Sequence, residues 1–157
     1  MTEADGTADL VHAHPQRTLA AFTHTYKRRL GPCGLVARVT LDVRPMAEPP
    51  REARRVGGSG VWWQPPPGLT SGDERWMAFG LGLVAGQLDA LSGGIGALLV
   101  RVDDWDVPML TDYQEEVAAA AVIEGLREHC GIAGIGIGLA FDRDGNRYRF
   151  TWGGAPA

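Results

Sequence analysis

GALLVRVDDWDVPMLTDYQEE, residues 96–116, is the stretch from which the rest of the chain can be ordered. It opens as a dry run, Ala97 to Val102, broken only by Arg101. An apolar run with no alternation predicts a central strand covered on at least one face. The chain then turns acidic: Asp103, Asp104, Asp106 and Asp112 fall within ten residues, with Trp105 expected to be exposed among them. Thr111 and Gln114 then stand at capping-box spacing ahead of an Ala-rich run. The stretch therefore predicts strand, acidic loop from Asp103 to Thr111, and helix.

Working outward, the helix runs through TDYQEEVAAAAVIEGLREHC, with Asp112, Glu115 and Glu116 in its first turn, where the helix dipole favours negative charge. Gly131 is the natural residue to end it. IGIGLAFDRDGNRYRFTW follows as two strands joined near Asp-Gly, a hairpin signal. Upstream, TSGDERWMAFGLGLVAGQLDAL predicts a helix with Ser71 and Glu74 as capping box and an apolar stripe at Met77, Leu81, Val84, Leu88 and Leu91. Gly80, Gly82 and Gly86 cost helix propensity, and close approach to a sheet is the expected return. VWWQ predicts a short strand stopped by Pro65, since proline removes a ladder donor. LVARVTLDV alternates and predicts a strand with one wet face. A short helix is expected over residues 17–30. The fold class is α+β: one two-layer domain over residues 19–157, in the order β-β-α-β-α-β-β, with a mixed sheet and two helices on one face. Residues 1–18 are expected to be a flexible, polar terminus.

The chain has 157 residues, enough for one domain with a real core. A formal charge of −4 gives no general pull toward nucleic acid or anionic lipid. Lys27 is the only lysine among 15 basic residues; with abundant Gly and Ala this is the composition of a GC-rich, for instance actinobacterial, genome. The start lacks a signal-peptide pattern and no run is long enough for a membrane span. Cys33 and Cys130 form no CxxC pair, and a cytoplasmic setting with reduced thiols is expected.

The glycine clusters do not follow a strand and open a helix, as a dinucleotide fingerprint must, and no phosphate-loop Gly-Lys exists. No nucleophile elbow is present. His12 and His14 could hold a metal only weakly, and His129 reads as a dipole partner in the last turn of a helix. FDRDGNRYRF lacks the spacing and closing Glu of a calcium loop. No cofactor, metal site or catalytic residue is therefore expected. Asp103, Asp104, Trp105 and Asp106 are the candidate binding tip. A carboxylate–metal enzyme would need a partner base that the sequence does not supply. Lys27, Arg28 and Arg29, with Arg51, Arg54 and Arg55, are the basic concentrations that an RNA partner would use. Trp62 and Trp63 alternate sides in their strand, so one should face outward unless another chain or a loop covers it, leaving a homodimer open.

Several stretches together resemble the fourth domain of translation elongation factor G and of the related ribosomal protection proteins. THTYKRR at 23–29 resembles the link entering that domain, and ARVTLDVRP at 37–45 its first strand. GSG at 58–60 is similar to the glycine pair before the next strand. The segment from Gly68 to Leu91 is similar to its first helix, and that from Ile95 to Cys130 to its long strand, tip loop and Ala-rich helix. The resemblance covers about residues 23–131. It implies a ribosomal-protein-like fold with a left-handed βαβ crossover, and a working tip at Asp103 to Thr111. It implies a non-catalytic binding protein, modulating translation or resistance, whose partner is the ribosome and its RNA. No GTPase domain is expected, and the three Asp at the tip would repel phosphate. The partner is then either ribosomal RNA, through the arginines, or a basic protein, through the acidic tip, as in an interaction or immunity module.

Overall fold

A computed structural model describes residues 21–93, 96–109 and 111–154. The expected flexible segment at 1–18, with His12 and His14, lies outside the described residues. The elements are β1 (Phe22–Arg28), β2 (Leu35–Met46), β3 (Arg54–Arg55), β4 (Val61–Gln64), α1 (Ser71–Leu91), β5 (Ala97–Asp106), α2 (Glu116–Cys130), β6 (Gly136–Asp142) and β7 (Arg147–Gly154). The fold is the expected α+β class: a mixed five-stranded sheet ordered β1-β2-β5-β4-β3, two helices, and a separate β6-β7 hairpin. Among the described strands β4 and β5 form the one parallel pair, with α1 as their crossover.

The helix expected over residues 17–30 is corrected by β1. Phe22, His24 and Tyr26 point inward while Thr23, Thr25 and Lys27 face solvent, a period of two carried by β-branched threonines. β1 is an edge strand, paired with β2 from Phe22↔Leu41 to Arg28↔Leu35. The two-residue β3 is a further addition to the expected order.

β2 divides the sheet into its two faces. Leu35, Ala37, Val39, Leu41 and Val43 are fully covered on the helix side. On the open side Arg44 and Arg101 both donate to the buried carboxylate of Asp42, Arg44 Nε at 3.0 Å and Arg101 at 3.1 Å, and Arg101 Nε also donates to Asp103 at 2.6 Å. A ladder of alternating charge therefore roofs the face that no helix covers. Trp63 joins the core and Trp62 is half-buried on the open face, in register with Leu99.

The helices meet where Gly80 faces Ala119. A Cβ on Gly80 would lie 3.0 Å from the Ala119 Cα and 3.1 Å from its carbonyl, so the glycine serves helix-on-helix contact rather than the expected approach to the sheet. Gly82 and Gly86 face open space. Seven consecutive α2 residues, Val117 to Ile123, are buried. Such a run needs cover all round the helix, and small side chains let the neighbours come close. The hairpin's Leu139, Phe141, Phe150 and Trp152 pack against the same core.

The capping expectations shift by small steps. Thr70, not Ser71, caps α1, its side chain accepting from Asp73 N at 3.2 Å. α2 begins at Glu116 with no side-chain cap. Thr111 instead donates to Pro108 O at 2.7 Å, and the Gln114 amide holds both backbone groups of Tyr148. Gly131, at φ 72°, takes the left-handed conformation that ends α2, as expected.

Candidate binding cleft at the end of β5

Pro65 stops β4, so its pairing with β5 ends at Gln64↔Arg101. β5 continues alone on that side to Asp106. The gap between it and the Pro66–Thr70 segment is a cleft of about 550 Å³, closed at its base by the N-terminus of α1. Asp73, Asp103, Asp104, Trp105 and Tyr113 line it together with the prolines.

A β-bulge sets the directions of these side chains. Thr40 pairs with Asp104 and Leu41 with Val102, so Asp103 is the extra residue on β5. The bulge reverses the alternation. Val102 and Trp105, three apart, share the helix face, while Asp104 and Asp106 share the open face. Two expectations are corrected here. The segment Asp103–Asp106 is strand rather than loop, and Trp105 is half-buried rather than exposed.

Trp105 turns inward onto Asp73. Its Nε1–H donates to Asp73 Oδ2 at 3.1 Å, and the Tyr113 hydroxyl donates to Oδ1 at 2.6 Å. Asp73 is 4% exposed and sits in the first turn of α1, where the helix dipole also favours its charge. The Tyr113 ring is half-exposed with its hydroxyl turned inward. Burial of that end and the bond to Asp73 push its pKa up to about 12. Asp73 escaped notice in the sequence because Ser71 and Glu74 drew the capping reading. Thr70 and Asp73 have the same spacing one residue earlier, and that was the available signal.

The remaining sequence candidates separate. Asp103 and Asp104 join the cleft, Asp103 already bound to Arg101. Asp106 is outside it, 3.9 Å from Arg38 across the sheet. The basic groups do not meet: Lys27 and Arg28 end β1 at one sheet edge, and Arg54 and Arg55 form β3 at the other. Several are engaged internally. Arg28 pairs with Glu124 at 2.5 Å, Arg29 donates to Pro32 O, Arg54 pairs with Glu74, and Arg55 donates to Ser59 O at 2.8 Å. Arg51 lies exposed in the turn before β3. No Arg, Lys or His lines the cleft among the described residues. No helix is long and apolar enough to cross a membrane among the described residues.

The fold and the cleft define a two-layer α+β domain with an anionic, aromatic-walled recess at one sheet end. No family model matches the chain, and no curated protein does.

Proposed function

We propose that the chain is a non-catalytic binding protein, a relative of the translation-factor domain it resembles, whose cleft receives an arginine- or lysine-bearing segment of a basic protein. The observation that carries this is the lining: three carboxylates, no basic residue, and walls of Trp105, Tyr113 and proline. A long basic side chain suits such a recess, its stem against rings and prolines and its head among carboxylates. The free side of β5 beyond Arg101 suits an extended segment, which can use main-chain hydrogen bonds along an open strand edge. RNA fits poorly, because the cleft repels phosphate and the arginines that would attract it lie at opposite sheet edges. Catalysis also fits poorly: Asp73 is committed to Trp105 and Tyr113, and Asp103 to Arg101, so neither is free to work as a base.

Titration with an Arg- and Lys-rich peptide, followed by tryptophan emission, tests the proposal against an RNA oligonucleotide of equal length. Saturable peptide binding is expected, weakening as salt rises, and Asp104→Lys is expected to weaken it by about tenfold or more. Asp106→Lys, outside the cleft, is expected to change it by less than about threefold. RNA binding without peptide binding would overturn the proposal. Co-sedimentation with ribosomes at low and high salt then tells whether ribosomal proteins supply the basic segment.

A further inference from the structure

At the sheet edge that β1 forms, this strand and the last turn of α2 bring together His24, Glu128 and His129. One ligand atom from each lies within 4.8 Å of the others. Three features set this group apart from a chance meeting of surface side chains. First, His24 is 6% exposed and held from both sides: Nε2 is 3.0 Å from Glu124 Oε1, and Nδ1 is 3.4 Å from Glu128 Oε2. Glu124 is fixed in turn by Arg28 at 2.5 Å. Second, the His129 ring stacks on Phe22, centroids 4.3 Å apart and planes 12° apart, which sets its orientation. Third, Gly125 makes room for the buried histidine, since a Cβ there would stand 3.1 Å from the His24 Cβ.

We propose that His24 Nδ1, a Glu128 carboxylate oxygen and a His129 ring nitrogen form a site for one divalent transition-metal ion of the zinc class. Two imidazoles and a carboxylate are donors that zinc accepts readily, and a solvent molecule would complete a tetrahedron. Glu124 then takes the outer position. It accepts from His24 Nε2–H and so fixes the tautomer that leaves Nδ1 free to ligate, with Arg28 behind it. Tetrahedral zinc needs donor atoms about 3.3 Å apart, and the exposed side chains of Glu128 and His129 can close that distance. The ion would pin the edge strand β1 to the end of α2. Because folding assembles these ligands, metal binding would stabilise the fold by mass action.

The test uses the full chain with His12→Ala and His14→Ala, so that the N-terminal pair contributes nothing, titrated with Co²⁺ and then competed with Zn²⁺. A saturable visible absorption of tetrahedral Co²⁺ at about one ion per chain is expected, lost on adding Zn²⁺, with a melting temperature that rises with Zn²⁺. His129→Ala and Glu128→Gln alter exposed residues, so both are expected to fold while losing about 100-fold or more in affinity. Glu124→Gln is expected to lose roughly 10–100-fold. Absence of saturable Co²⁺ and Zn²⁺ binding would overturn the assignment, as would binding that His129→Ala and Glu128→Gln leave unchanged.

Discussion

Tyr148→Phe is expected to lower stability by about 3 kcal/mol, because one hydroxyl satisfies three backbone groups of the β1–β2 turn. The Tyr148 oxygen accepts from Leu30 N at 3.0 Å and Gly31 N at 2.9 Å, and its proton goes to Cys33 O at 2.7 Å. The ring is fully buried, with Phe141 edge-on at 5.1 Å. Phe keeps the packing and orphans the backbone groups, at about 1–3 kcal/mol for each group left buried without a partner. For a chain of this size that corresponds to a melting temperature lower by roughly 6–12 °C. Thermal and urea unfolding measure it directly. A change below about 0.5 kcal/mol would mean that water replaces the hydroxyl and that its bonds to the β1–β2 turn add little to stability.

Asp73→Ala is expected to cost a similar amount, about 3 kcal/mol, and to carry optical signatures. Two hydrogen bonds to a charged acceptor contribute about 1.5–3 kcal/mol each, and a first-turn carboxylate adds a few tenths or more through the helix dipole. Without the carboxylate, Trp105 should swing toward water and its emission shift to the red. The pKa of Tyr113 should fall from about 12 toward the ordinary 10.0, followed by tyrosinate absorbance. In the native protein the neutral phenol is the favoured form. Its contribution to stability is therefore present in full below pH 10 and fades as pH rises through about 12. Asp73→Asn retains an acceptor oxygen and should fall between the two. Unchanged Trp105 emission in Asp73→Ala would show that the bulge alone, and not Asp73, orients the indole.

The elements that periodicity describes were legible before the structure. The α1 stripe, the strand preceding the acidic residues, the Ala-rich α2 and the Asp-Gly hairpin all stand where spacing and turn chemistry put them. Strand β1 was not, because FTHTYKR is flanked by residues that suit a helix, and its period of two becomes decisive only when β2 pairs with it. The site was half legible. The acidic residues of β5 announce themselves by charge. That Trp105 faces inward depends on a one-residue bulge opposite Thr40 and Leu41, a feature of pairing that no local pattern in β5 encodes. Asp73 and Tyr113 come from segments 32 and 40 residues away from their partners Trp105 and Asp73, respectively, and only the tertiary fold joins them. The His24, Glu128 and His129 group was hidden for the same reason. His24 sat in a segment expected to be helical, and His129 had a sufficient explanation in the dipole of its own helix.

The central claim is that the cleft at the end of β5 is the working surface and that it takes a basic protein segment. Amide chemical-shift mapping with the Arg- and Lys-rich peptide tests it most directly, because it locates binding residue by residue. Shifts are expected to concentrate at Asp73, Asp103, Asp104, Trp105 and Tyr113, reduced by salt and abolished in Asp104→Lys. Shifts that instead cluster at Lys27, Arg28, Arg54 and Arg55 on adding RNA, with the cleft silent toward peptide, would contradict it.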